Sequence, residues 1–342
     1  MKAAVMVKPG KIELIELPIP KMEEDEVLIK VKNVGICTWE RRFYAGAYTD
    51  FPFIGGHEIC GIVEKVGPKV SQKLEVGDKV VIAALKRCGE CYYCRRGYDN
   101  QCEYSDALEQ RIPGYYGPAG FAEYMVVRGY EVYKIPEEVS CEIATLAEPL
   151  ACVTHSIDVA NPEIGDYAVV LGAGIMGILH MFLAKQRGVT VIVSEPNAER
   201  REKALKLGAD YVVDPMNESL VDKVYEITDG RGVELVFYTA GGRKAIDDGI
   251  NSLAIRGKMV IYGSTSKEDL ITLDPKIFHY REIVLTGVTK HTKESFRKAA
   301  EIISTQKLPL GELITAKYPF TEINNAFVKA EDLSMYRVVV EF

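Results

Sequence analysis

Residues 169–177 read VVLGAGIMG, and Gly172, Gly174 and Gly177 stand in the pattern G-x-G-x-x-G. Alone, that string is weak; its surroundings decide the reading. The β-rich run YAVVL leads into it, and an apolar segment of helical length leaves it from Met176. The next strand-like run, TVIVSE, ends at Glu195, 23 residues after Gly172. In such a unit the first glycine permits a tight turn, the second lets backbone approach a pyrophosphate, and the third allows close helix–strand packing. The backbone of Ile175 and Met176 opens the helix whose N-terminus would face the phosphates. Glu195 can accept hydrogen bonds from ribose hydroxyls and would repel a 2′-phosphate, so the spacing predicts NAD, with NADP disfavoured. Arg200 and Arg201 follow closely. They either reach the cofactor or form the solvated face of the helix NAERREKALK.

Outward from the fingerprint, strands and helices alternate. After YAVVL and its helix come TVIVS, NAERREKALKL, DYVVD, SLVDKVYEI, VELVFY, a helix near Lys244–Leu253, and KMVIY. That order predicts a parallel sheet covered on both faces, wound right-handedly as a doubly wound Rossmann domain. Residues 167–184 carry no formal charge, which reaches the lower edge of transmembrane length. Three glycines and a histidine inside it favour a buried strand, turn and helix.

The chain has 342 residues, enough for two domains. Residues 1–135 read as short strands and loops, with KAAVMVK, VLIKVKNV, CGIVEKV and DKVVIA separated by turn pairs such as Pro9-Gly10. A helical stretch is expected at about Glu142–Val159. Near the end, Lys293–Thr305 and TEINNAFVKA read as helices and YRVVVEF as a strand. We therefore expect a first domain over 1–151, a nucleotide domain over 152–288, and a return of 289–342 to the first domain. Hydrophobic residues make up 47% and charged residues 27%, as in globular enzymes. A net charge of -7 argues against nucleic-acid or anionic-membrane partners. The N-terminal apolar stretch is too short for a signal peptide, so a cytoplasmic protein is expected.

Four of the eight cysteines cluster in RCGECYYCRRGYDNQC, with Cys88, Cys91, Cys94 and Cys102 spaced C-x2-C-x2-C-x7-C inside a loop at 86–103. Four thiolates close the tetrahedral shell of a structural zinc; disulfides and an iron–sulfur cluster are the alternatives. A second set is dispersed. Cys37 is followed twenty residues later by His57 and Glu58 in GGHEICG, and Glu148 lies in LAEPLAC. A buried cysteine or histidine is often only core. However, one thiolate, one imidazole and one carboxylate would balance a zinc ion and leave a fourth position open. Glu148 is expected close by, binding the zinc directly or touching its water.

GIC at Cys37, GGHEICGIVEKVG, VGDKVV, the four-cysteine loop, GFAEY, EPLA at Glu148 and the glycine fingerprint together resemble the zinc-dependent alcohol dehydrogenases of the medium-chain dehydrogenase/reductase superfamily. The resemblance covers nearly the whole chain. It points to the polyol (sorbitol-type) and threonine dehydrogenase branch, because glutamates occupy Glu58 and Glu148. It implies a GroES-like catalytic domain beside the Rossmann domain, two zinc ions per chain, and a homo-oligomer, either a dimer or a homotetramer. It also implies that hydride passes from a zinc-held secondary alcohol to NAD. L-threonine is the alternative substrate, and a non-catalytic nucleotide-binding structural protein is the alternative outside enzymes. Arg337 matches a position where relatives carry an arginine on the cofactor pyrophosphate, the other reading being a surface charge. Glu40 matches an aspartate that orients the zinc histidine.

The chain departs from the family where relatives place a proton relay. Trp39 and Arg42 stand where serine or threonine, and often histidine, are usual, and neither is a base at neutral pH. Glu148 is therefore expected to take the alcohol proton through the zinc-bound water. Trp39 is expected to wall the substrate pocket, with Phe43 and Tyr44 either joining it or packing in the core. Arg42 either meets a carboxylate or phosphate on the substrate or cofactor, or forms a surface ion pair.

Overall fold

The computed structural model describes residues 1–264 and 270–342. It divides into two compact units, Met1–Ala151 with His291–Phe342, and Cys152–Lys290.

In the first unit, Lys2–Lys8 and Lys11–Glu16 form an antiparallel hairpin. A seven-stranded sheet runs in the order Ile314–Pro319, Arg337–Glu341, Glu26–Gly35, Glu58–Val66, Lys79–Ala83, Val132–Lys134, and Tyr124–Arg128 pairs with Glu26–Gly35 from the side. The C-terminal strand lies inside this sheet, parallel to Ile314–Pro319 and antiparallel to Glu26–Gly35. A strand with neighbours on both edges and cover on both faces reads as an unbroken apolar run, which is why RVVV is buried throughout. The core beneath it contains Val27, Ile29, Val34, Phe43, Phe53 and Ile59, and Phe43 stacks on Phe53 with centroids 3.9 Å apart.

The single helix expected at about Glu142–Val159 is two helices, Cys141–Ala144 and Ala147–Ala160. The cause is Pro149. In one continuous helix it would lack the N–H owed to Thr145 and would press on that carbonyl; in the first turn of a new helix the N–H has no intrahelical partner to lose. Glu148 thereby enters the first turn of Ala147–Ala160, where the helix end favours a carboxylate. The sequence also does not announce the seven-residue helix Thr38–Tyr44. Its N-cap is Cys37, whose side chain makes no capping hydrogen bond.

The second unit holds six parallel strands in the order Tyr211–Val213, Thr190–Ser194, Tyr167–Leu171, Val233–Tyr238, Leu253–Ile261, Val284–Gly287. In sequence order this is 3-2-1-4-5-6, the doubly wound arrangement, with its topological switch beside Tyr167–Leu171. Five strands match the sequence reading. The sixth, VLTG, is four residues long and half exposed, too short to show a period of two. Among the described residues no helix is long and apolar enough to cross a membrane. The uncharged run at 167–184 resolves into Tyr167–Leu171, the glycine turn and most of the helix Ile175–Gln186.

Within that helix His180 is fully buried. Its Nδ1–H donates to the Met176 carbonyl at 2.7 Å, so Nε2 accepts from the Ser156 hydroxyl at 2.9 Å. Burial lowers its pKa from 6.5 to about 4, the Met176 carbonyl pulling weakly the other way. Between those values the unfolded chain binds a proton that the folded chain refuses. The stabilisation is whole above pH 6.5 and drains away as pH falls toward 4, by about 3 kcal/mol in total. A His180→Gln variant should show a correspondingly smaller loss of urea midpoint than the native chain between pH 7 and pH 4.5. Parallel midpoint curves for the two proteins would refute the assignment.

Candidate active site

His57 is the centre of a polar cluster built entirely within the first unit. It begins the turn into strand Glu58–Val66, and its Nδ1–H donates to Glu40 Oε1 at 2.6 Å. Glu40 is wholly buried on the helix Thr38–Tyr44 and also accepts the Gly56 N–H at 2.9 Å. With Nδ1 committed, Nε2 is the nitrogen left to bind a metal, the arrangement usual for ligating histidines. Donor atoms of Cys37, Glu40 and His57 lie within 4.8 Å of one another, and so do those of His57, Glu58 and Glu148. The three other candidates named from sequence, Cys37, Glu58 and Glu148, are thus gathered around the His57 imidazole.

The electrostatics of the cluster suit a cation. Burial pulls His57 downward, but the Glu40 and Cys37 charges and hydrogen bonds outweigh it and hold the imidazole well above its usual range. Burial pushes Glu58 up to about 7, against the pull of Arg337 and His57. Glu58 Oε2 and Glu40 Oε2 are buried without a hydrogen-bond donor among the described residues. Unsatisfied buried carboxylate oxygens are costly, and a divalent ion ligated by thiolate, imidazole and carboxylate would relieve that cost. Gly35 makes room for the arrangement, since a Cβ there would stand 2.3 Å from Glu58 Oε2.

Arg337 is 4% exposed, which overturns the surface-charge alternative. Its Nη2 lies 2.9 Å from Glu58 Oε1 and its Nη1 donates to the Ile36 carbonyl at 2.6 Å. The guanidinium thus offsets one of the carboxylate charges beside His57. Charge counting on sequence alone omitted this cation, and with it present direct ligation by Glu148 no longer makes the site over-negative.

Trp39 is half buried, with its ring edge-on to His57 at 5.6 Å and to Phe43 and Phe53 at 5.2 and 5.4 Å. Its ring borders the imidazole. Phe43 is not: it is fully buried against Phe53 and Tyr48, so core packing replaces the pocket role. Tyr44 is half buried and packs against Phe327. Arg42 is exposed, and its neighbour Arg41 is paired with Glu331 at 3.0 Å.

The sulfurs of Cys88, Cys91, Cys94 and Cys102 also lie within 4.8 Å of one another, and those of Cys88 and Cys102 are 3.7 Å apart. Sulfurs ~2.3 Å from a tetrahedral centre would be separated by ~3.8 Å. None of the eight cysteines is in a disulfide. The loop's N–H groups point at sulfur: Cys91 N–H to Cys88 Sγ at 3.2 Å, Cys94 N–H to Cys91 Sγ at 3.5 Å and Cys88 N–H to Cys102 Sγ at 3.3 Å. Such donors favour thiolate, and those from Cys94 and Glu103 lower Cys91 to about 6. A Cys94→Ser variant should lose about one equivalent of zinc and several degrees of thermal midpoint. An unchanged metal content would remove the loop from the list of metal sites.

In the second unit the glycine turn follows Tyr167–Leu171 and caps the helix Ile175–Gln186. Gly172 has φ +98°, and a Cβ on Gly177 would stand 1.9 Å from the Gly172 carbonyl oxygen. Gly174 differs. Its φ is ordinary, and only Arg200 Nη1, at 3.8 Å, comes within 4 Å of a Cβ placed there. The protein itself does not demand glycine at that position, and a closely approaching ligand would. Glu195 directly follows the strand Thr190–Ser194 with its carboxylate turned back onto this turn, Oε2 accepting from Ala173 N–H at 2.7 Å and Oε1 from Asn197 N–H at 2.9 Å. Arg200 thus lies over the turn. Arg201 instead donates to the Glu195 and Pro196 carbonyls at 2.8 Å each and pairs with Asp214.

Sequence reasoning missed His291 and Arg87. His291 is buried with Nε2 3.9 Å from Glu148 Oε1, and Arg87 is held against it. Nothing local marks either residue; each is one polar side chain in an unremarkable segment.

A sulfur- and carboxylate-rich cluster in one unit and a dinucleotide-type turn in the other define the class of two-domain dehydrogenases. Residues 23–137 match the alcohol dehydrogenase GroES-like domain, and residues 176–305 match the zinc-binding dehydrogenase family. The L-threonine 3-dehydrogenase of Pyrococcus horikoshii is 36% identical, covering 96% of this chain and 94% of its own. The D-arabitol-phosphate dehydrogenase of Enterococcus avium is 32% identical over 100% of this chain and 97% of its own. Among solved structures, a zinc-binding dehydrogenase from Sinorhizobium meliloti bound to NADP superposes with a TM-score of 0.90 at 27% identity, covering 100% of this chain and 99% of that one. The chain belongs to the zinc-type alcohol dehydrogenase family of the medium-chain dehydrogenase/reductase superfamily.

Proposed function

We propose that the protein oxidises a secondary alcohol of the polyol, sugar-alcohol or sugar-acid class, transferring hydride to NAD and releasing the ketone and a proton. The observation that carries this reading is the gathering of Cys37, Glu58 and Glu148 around His57, whose other ring nitrogen is held by Glu40. A zinc ion bound there would acidify the alcohol hydroxyl and hold the resulting charge. A second zinc in the four-cysteine loop would be structural. Glu148 is the acceptor for the hydroxyl proton, since Trp39 and Arg42 supply no base. Trp39 shapes the pocket beside His57. Arg42, exposed on the helix that starts after Cys37, would meet a carboxylate or phosphate on the substrate. Glu195 selects NAD through its charge beside the glycine turn.

L-threonine is the second reading, favoured by the 36% identity to an L-threonine 3-dehydrogenase. Both readings are tested by one screen of NAD reduction over polyols, polyol phosphates, sugar acids, inositols and L-threonine, with zinc measured on the same sample. Turnover on threonine alone would replace the polyol assignment. A zinc-replete sample inactive on the whole panel would overturn both.

A further inference from the structure

Behind Glu148 lies a buried chain of polar groups inside the first unit. Arg87, buried at 4% exposure, donates from Nη1 to the Leu85 carbonyl at 2.9 Å and from Nε to Asp99 Oδ1 at 3.2 Å. Its Nη2 faces two acceptors of one residue, the His291 carbonyl at 2.7 Å and His291 Nδ1 at 3.0 Å. Asp99 belongs to the four-cysteine loop and also accepts the Lys293 N–H at 3.1 Å. The His291 ring packs on Phe296, and its Nε2 is 3.9 Å from Glu148 Oε1.

A guanidinium has donors only. Nδ1 of His291 must therefore accept, which leaves the ring proton on Nε2, the atom that faces Glu148. Turning the ring over would put a carbon against Arg87 and forfeit that bond. The ring thus presents a donor, and not an acceptor, toward Glu148. The 3.9 Å gap is one that a small carboxylate rotation or a bridging water closes.

We propose that His291 is a positioning residue for Glu148, its tautomer set by Arg87 and, through Asp99, by the four-cysteine loop. The proposal rests on the functional reading of Glu148 given above. In this arrangement the Nε2–H holds the carboxylate in one orientation toward His57 and Glu58.

Two substitutions separate this role from plain packing. His291→Asn places an amide oxygen where Nδ1 stood, keeping the partner of Arg87 but removing the donor to Glu148. His291→Gln reaches the Nε2 position and keeps that donor, at the expense of Arg87. The expected result is that Asn lowers kcat by about 10- to 100-fold with little change in KM, while Gln stays within about 3-fold of native. Thermal midpoints should rank the other way, Asn above Gln. In a Glu148→Gln background the Asn effect on kcat should shrink to within about 2-fold. Zinc affinity of the open site, read by competition with a chelator, should fall about 10-fold in the Asn variant and hold in the Gln variant. The proposal is overturned if Asn retains activity and affinity as well as Gln does, or if its loss is undiminished beside Glu148→Gln. Should the native protein reduce no NAD on the panel, the functional reading fails by itself, and the zinc-affinity comparison still decides the role of His291.

Discussion

Replacing His57 with asparagine is expected to lower kcat by at least about 10³-fold while leaving the first unit folded. The asparagine amide can stand where Nδ1 stands and still donate to Glu40 Oε1, now 2.6 Å from the ring. Alanine would instead strip Glu40 of that donor and leave a wholly buried carboxylate with only the Gly56 N–H. What asparagine lacks is Nε2, the atom that would meet the metal. Zinc content should therefore drop by about one equivalent per chain, with the loop ion retained. The pairing of the two losses is the informative result. Residual turnover above a few per cent in a protein that has lost that equivalent would move the chemistry away from His57.

Cofactor choice should respond nearly as strongly to Glu195→Gln. The carboxylate is 5% exposed and is pinned at both oxygens, by Ala173 N–H and Asn197 N–H. Glutamine keeps the shape and at least one of those acceptors while removing the charge. A 2′-phosphate about 5 Å from a unit negative charge, at an effective dielectric near 20, is disfavoured by on the order of 3 kcal/mol. Neutralising the charge while Arg200 lies over the same turn should raise the ratio of kcat/KM for NADP over NAD by about 30- to 100-fold. The measurement is that ratio for the native and variant proteins. A native preference for NADP, or an unmoved ratio, would take the selecting role away from Glu195.

Legibility in the sequence followed the distance along the chain over which each feature is built. The glycine turn and the four-cysteine loop each lie in a short window, so spacing alone carries their geometry. The doubly wound sheet was equally open, because each strand and each helix declares its own period. Helix Thr38–Tyr44 was not legible, since its cap is a cysteine with no capping bond. Strand Val284–Gly287 was too short to show alternation. Phe43 and Trp39 stand four residues apart on one helix, yet one is core and the other borders His57; composition cannot separate them.

Local order along the chain thus determined the two kinds of unit, the sulfur loop and the nucleotide turn, because each is closed by contacts between near neighbours. The sequence named Cys37, His57, Glu58 and Glu148, but how they meet, and which other groups join them, was decided by tertiary structure. Gly35 pairs with Glu58 on one side and with Val339 on the other, and that register delivers Arg337 to Glu58 from the far end of the chain. The Pro149 break sets Glu148 on the first turn of a helix, and the returning segment carries His291 up behind it. Spacing in sequence holds no information about such approaches, because they are fixed by strand order and burial, and a buried charge is tolerable only where the finished fold supplies its partner.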